Sequence, residues 1–113
     1  MSHVINFSMP YFSENNIRYV FLDGRACKRI DDCYATLRTQ LSLPNYFGNN
    51  LDAFEEVLSD LDWISEAKVK IIILNAFELL ANEADKKESF FDILNSIENE
   101  KLEIIYLGEG GNT

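Results

Sequence analysis

Asp52, Glu55, Glu56 and Ser59 follow one another at spacings of three, one and three. On an α-helix those positions share a face, because residues three and four apart are neighbours on the helix surface. Three carboxylates so gathered could serve as an acid and base pair, hold a hard cation, or offer negative charge to a basic macromolecule. Catalysis finds little support elsewhere in the chain. The one histidine, His3, stands near the N-terminus, so a histidine-based triad in the core is unavailable. Cys27 and Cys33 have no histidine nearby in sequence to activate them. The segment Leu107-Gly108-Glu109-Gly110-Gly111 lacks the Lys-Ser/Thr and following helix of a phosphate loop. We expect no catalytic residue, no metal ligand set and no cofactor.

Charge recognition is the chemistry that remains. A solvated helix face ordinarily mixes Lys or Arg with its acids at i+4, yet no basic residue occurs between Arg38 and Lys68. Asp60 and Asp62 add two more acids near the helix end, where the helix dipole disfavours them. The whole chain carries 19 acids against 10 bases, a formal net charge of −9. Such a balance argues against direct binding to nucleic acid or to an anionic membrane and favours a basic protein partner. Immediately before the helix, Tyr46-Phe47-Gly48-Asn49-Asn50 supplies aromatic area, a glycine able to take positive φ, and amides that can bond a partner. An aromatic and glycine loop joined to an acidic helix face suits protein recognition.

These residues need a helix and a frame to hold it. Leu51, Phe54, Leu58 and Leu61 recur as one apolar stripe on the face opposite the acids, with Asn49 or Asn50 as the N-cap. Ahead of it, Asp31 or Asp32 caps a helix over about Asp32 to Leu41, stopped by Pro44. Ile17 to Leu22 reads as a buried strand ended by Asp23-Gly24, and Val69 to Leu74 and Leu102 to Leu107 read as central strands. Between those two, Phe77 to Leu80 suggests a short turn of helix. Lys86 to Glu100 suggests a longer helix with Phe90, Ile93, Leu94 and Ile97 inward. Val4 to Phe7 suggests a short extra strand, with Pro10 and the polar Ser13 to Asn16 between it and the sheet. Strands alternating with helices predict an α/β fold, a small parallel sheet with right-handed helical crossovers.

A chain of 113 residues, 47% apolar and 26% charged, suits a single ordered domain over 1–113. Within it, 1–16 reads as an N-terminal extension and 108–113 as a flexible tail. No apolar run approaches the roughly 18 to 20 residues of a membrane span, and the N-terminus lacks the pattern of a secretion signal. Cys27 and Cys33 are expected as reduced thiols, and the chain in the cytoplasm.

The stretch LPNYFGNNLDAFEEVLSDLDW, from Leu43 to Trp63, resembles the binding loop and second helix of the barstar family, intracellular inhibitors of the ribonuclease barnase. Tyr46, Phe47, Gly48, Asn50, Leu51, Asp52 and Ala53 carry the likeness, and the order of elements agrees over about Ile17 to Leu107. The resemblance implies a three-stranded parallel sheet with helices packed against it, to which the N-terminus would add a strand. It also implies a non-enzymatic inhibitor whose loop and second helix plug a nuclease active site, the carboxylates standing in for phosphates. Asp52 then matches the family's first key acid, Tyr46 and Gly48 its loop contacts, and Asn50 a loop amide. Glu56 stands where the family's dominant acid is an Asp, and Glu55 where the type member has a Trp. Ser96 aligns with an acid of the last helix, and Trp63 with the aromatic that follows the binding helix. The partner implied is a basic nuclease, of the ribonuclease type, bound one-to-one by a monomer, and an immunity role against a toxin nuclease fits the same features. The competing reading is an acidic module that docks a basic protein without inhibiting a nuclease.

Overall fold

The structure, a computed structural model, describes residues 11–44 and 47–108. Three parallel strands form its frame: β2 (Ile17–Asp23), β3 (Lys68–Leu74) and β4 (Leu102–Leu107), in register through Val20, Ile71 and Ile104. A fourth strand, β1 (Phe12–Glu14), pairs antiparallel with β2 and completes the sheet in the order β1-β2-β3-β4. The polar stretch 13–16 is therefore half strand and half hairpin turn. Asn15 and Asn16 both adopt positive φ (55° and 65°), the conformation a tight two-residue hairpin demands and one that asparagine tolerates. The expected strand Val4 to Phe7 lies outside the described residues, as does the tail beyond Gly108. Of the two strands expected to be central, β3 is; β4 lies at the sheet's edge, and none of its residues is fully buried.

Burial alternates along the inner strands. Val20 and Leu22 of β2 and Val69, Ile71 and Ile73 of β3 are buried, whereas Phe21 on the alternate face is 40% exposed. Helices cover the buried side: α1 (Ile30–Gln40), α2 (Leu51–Asp60) and α3 (Ala84–Ser96). Tyr34 and Leu37 of α1, Phe54, Val57 and Leu58 of α2, and Phe90 and Leu94 of α3 join the strands in one core. The rings of Phe54 and Phe90 stack 4.7 Å apart and fix α2 against α3. Ile93 and Ile97, expected inward, are half-buried.

Each helix boundary has a local cause. Rather than starting near Asp32, α1 starts at Ile30, whose N–H donates to Glu83 Oε1 at 2.7 Å, a cap supplied from the start of α3. Asp32 turns back to accept the Arg29 N–H. The helix ends in a left-handed residue, Ser42 (φ 53°), with Leu43 N–H returning to Arg38 O. Phe77 to Leu80 is not a turn of α-helix. Its bonds run from Glu78 to Asn75 and from Leu79 to Ala76, and left-handed Asn75 and Leu80 interrupt it. Leu80 and Asn82 instead donate to the Cys27 and Lys28 carbonyls, clasping this loop to the one after β2. That clasp requires Gly24, since a Cβ there would lie 2.1 Å from Asn75 O. Finally, α3 begins at Ala84 and stops at Ser96 because Ile97 is extended.

A buried ion pair has no signature in the local sequence pattern. Arg18, on the covered face of β2, meets Glu66 at 3.0 Å, and both are more than nine-tenths buried. Burial pushes the Glu66 carboxyl up. Hydrogen bonds from Ser13, its own backbone and Arg18, together with the Arg18 charge, outweigh that and hold it below the usual carboxylate range. Cys27 and Cys33 are buried free thiols. Their mutual hydrogen bond and their burial push the Cys33 thiol well above its ordinary value, while the same bond draws Cys27 down to about 7.

Candidate protein-binding site

The site starts with a cap. Asn50, not Asn49, is the N-cap of α2: it is extended (φ −142°) and its Oδ1 accepts the Ala53 N–H at 2.8 Å. The same side chain donates through Nδ2 to Gly48 O at 3.2 Å, so one amide joins the loop to the helix. Positive φ falls on Asn49 (50°) and not on Gly48, which corrects the role expected of that glycine. Gly48 matters through closeness, because a Cβ there would meet Asn50 Nδ2 at 3.0 Å. At its far end, α2 closes on left-handed Leu61 (φ 56°), whose buried side chain extends the apolar stripe.

Arg38 holds the loop from behind, a role the sequence did not announce. Its Nη2 donates to Phe47 O at 3.4 Å and to Asn49 Oδ1, and its guanidinium lies 5.2 Å from the centroid of the Phe47 ring. Phe47 itself is buried, edge-on to Tyr34 at 5.6 Å, and so belongs to the core. The loop is thus fastened by an aromatic anchor, a guanidinium and a capping amide.

On the opposite face of α2 the acids are gathered as the helical spacing predicts. Gly48, Asn50, Asp52, Ala53, Glu55, Glu56 and Ser59 line one open groove of about 790 Å³. Asp52, Glu55, Glu56 and Ser59 are exposed, and Ser59 Oγ donates to Glu55 O at 2.8 Å. Among the described residues no Lys or Arg forms an ion pair with Asp52, Glu55, Glu56 or Asp60. Asp60 and Asp62 crowd each other at the helix end. A hydrogen bond to Asp60 and the charge of that neighbour raise the Asp62 carboxyl above its ordinary value.

Trp63 stands apart from this groove. It is half-buried against the core, and its Nε1 donates to Leu41 O at 2.8 Å, which ties the end of α2 to the end of α1. Tyr46 lies outside the described residues. Ser96, at the end of α3, is exposed and bonds the Ile93 carbonyl. No group of three or more His, Cys, Asp or Glu among the described residues is placed to hold a metal ion. No helix among them is long and apolar enough to cross a membrane.

The arrangement is one of charge display: residues 47–50, fastened to α1 and α2, lie beside an exposed acidic face. Compared with known families, residues 17–106 match the model described as Barstar (barnase inhibitor). The match begins at the first residue of β2 and leaves β1 outside it. No curated protein matches the chain.

Proposed function

Because this chain belongs to the Barstar (barnase inhibitor) family, a family of non-enzymatic inhibitors, we propose that it blocks the active site of a basic nuclease, a ribonuclease of the barnase type. The observation that carries the reading is the row Asp52, Glu55 and Glu56, exposed along one groove with Gly48 and Asn50 and paired with no base among the described residues. In the complex Asp52 and Glu56 enter a cleft that evolved to hold phosphates and form charge-assisted hydrogen bonds with its Arg, Lys or His side chains. Glu55 adds charge beside them, and Gly48 and Asn50 give the loop its close approach. Tyr46 and Trp63 seal the edges. Inhibition is steric and reversible. Opposite net charge speeds encounter, and the desolvated acids slow release. A monomer binding one-to-one in the cytoplasm, protecting a cell from a nuclease toxin, fits a small domain with its acids on one face.

The test is capture from a lysate of the source cells on the natural chain and on an Asp52→Ala/Glu56→Ala variant, followed by nuclease assay of the eluates. Both positions are exposed, so the variant folds normally. Each lost charge-assisted bond weakens binding roughly 10- to 100-fold. The natural chain should release a nuclease that is silent until the complex is dissociated, and the variant should release none. Equal capture by both chains, or a partner without nuclease activity, refutes the proposal; the second result points to a non-inhibitory docking module.

A further inference from the structure

The chain enters the recognition element, loop and α2 together, from the end of α1 and leaves it through residues 61–67 on the way to β3. Arg18 of β2 touches both ends. Its Nη1 donates to Ser42 Oγ at 3.3 Å and to Gln40 O at 3.5 Å on the entering side, and its Nη2 meets Glu66 at 3.0 Å on the leaving side. Neighbouring bonds repeat the pattern. Gln40 grips both backbone groups of Phe21, Trp63 Nε1 donates to Leu41 O, and Asn16 O accepts the Ala67 and Lys68 N–H groups. The β1 hairpin closes the junction from outside: the Arg18 guanidinium lies 3.6 Å from the centroid of the Tyr11 ring, and Ser13 bonds Glu66. Tyr11, Ser13 and Asn16 all precede the residues that match the family model. Stability is a poor reason for such a pair. Among the described residues Arg18 Nε is buried with no hydrogen-bond partner, and well-packed apolar residues in place of a buried ion pair are often as stable or more so. What apolar residues lack is direction, since a guanidinium fork sets the angles at which separate segments meet.

We propose that Arg18 and Glu66, sealed by the β1 hairpin, are positioning residues for partner recognition: they tie the entry of the loop-and-α2 element to its exit, so that Gly48, Asn50 and the acids of α2 meet the partner as one preset surface. The inference rests on the inhibitor reading and extends it to residues 11–16, which the family match leaves out. Arg18 and Glu66 act through the element and do not touch the partner, both being more than nine-tenths buried. With the junction freed, the element is ordered only as the partner binds, and affinity falls by the cost of that ordering.

The test separates position from stability. Arg18→Met/Glu66→Leu replaces the pair by apolar side chains, so its urea midpoint should equal or exceed that of the natural chain. Its inhibition of a barnase-type ribonuclease should nevertheless weaken by about 3- to 10-fold, mainly through faster dissociation. In the free chain, amide exchange should quicken at Gly48, Asn49 and Asn50 and stay unchanged at Ile71 in the core of β3, a pattern that a general loss of stability would not give. Ser42→Ala, at an exposed residue, removes only the hydroxyl that Arg18 holds at the entry, and should shift dissociation and exchange the same way by about 3-fold; it decides the matter if the double variant unfolds at lower urea. Unchanged dissociation in a folded double variant, or unchanged exchange at Gly48 to Asn50 in both variants, overturns the proposal. Asp52→Ala/Glu56→Ala is the control for the reading beneath it. If that variant abolishes inhibition while the Arg18 and Ser42 variants match the natural chain, the inhibitor reading stands and the positioning role falls. If the natural chain does not inhibit the ribonuclease, the inhibitor reading falls, and amide exchange alone judges the junction.

Discussion

Replacing Asn50 by Ala removes two bonds of different kinds, and the structure allows their sizes to be separated. The Oδ1 bond to Ala53 N–H satisfies one of the orphan donors at the start of α2. Loss of such a cap costs about 1 kcal/mol, within a range of ~0.5 to 2. The Nδ2 bond to Gly48 O joins two exposed groups, so its loss adds only about 0.5 kcal/mol. The sum, ~1.5 kcal/mol, should lower a urea midpoint by about 1 M at a slope of roughly 1.5 kcal/mol/M. Asn50→Asp separates the terms. A carboxylate keeps the acceptor and gains from the helix dipole by ~0.3 to 1 kcal/mol, but it cannot donate to Gly48. That variant should unfold within about 0.5 kcal/mol of the parent while its Gly48 to Asn50 amides exchange faster with solvent. Equilibrium urea unfolding, with amide exchange read by mass spectrometry, gives both quantities. A loss under ~0.3 kcal/mol for Asn50→Ala, or equal losses for Ala and Asp, would refute the assignment of Asn50 as cap.

Three further outcomes follow from the same contacts. Glu66→Gln leaves Arg18 buried without its carboxylate; because Gln40 O, Ser42 Oγ and the Tyr11 ring still contact the guanidinium, the loss in urea unfolding should be near ~3 kcal/mol, the low end for a broken buried pair. In the parent the depressed Glu66 carboxyl contributes stability that is present above the ordinary glutamate value and lost as pH falls through the lower folded value, so this acid loss should vanish in Glu66→Gln. Arg38→Ala should speed amide exchange at Phe47 and Asn49 with at most ~1 kcal/mol of global loss, and should weaken partner binding although it makes the chain more acidic; tighter binding would mean that Arg38 acts only as charge. Asp62 has its folded value raised by Asp60, a contribution complete below the ordinary aspartate value and lost as pH rises through the folded one. Asp62→Asn should therefore be more stable than the parent at neutral pH and lose that advantage in acid, as thermal melts at both pH values would show.

The parts legible in the sequence are those whose cause is local. The acidic face of α2 follows from a 3.6-residue period, and the three parallel strands from apolar runs of strand length. Where the cause lies far along the chain, the local sequence carries no sign of it. The start of α1 depends on Glu83, 53 residues from Ile30, and no window around Asp31 contains that residue. Strand β1 is three residues long, too short for an alternating pattern to show, and its existence turns on the left-handed pair Asn15 and Asn16. The edge position of β4 was hidden because Leu102 to Leu107 is as apolar as a central strand, and strand order is a property of the whole chain.

Residues distant in the chain shape the charge of the site as well. Reading i±4 neighbours finds no base near the acids of α2, yet the fold does bring bases to that end of the molecule, Arg38 from α1 and Lys86 from α3. Neither neutralises the acids, because each is already engaged: Arg38 with the carbonyl of Phe47 and the side chain of Asn49, Lys86 with Glu83. Among the described residues the acidic face is therefore left bare by competition: Arg38 is held by Phe47 and Asn49, and Glu83, which holds Lys86, also accepts the first N–H of α1. Removing Glu83 should release Lys86 toward Asp31 and Asp52. A chain with Glu83→Gln should accordingly bind a basic partner more slowly, with a smaller dependence of the association rate on salt, while Glu83→Gln/Lys86→Gln should recover the parent rate. Identical rates for the parent and Glu83→Gln would show that the competition for Lys86 has no bearing on recognition.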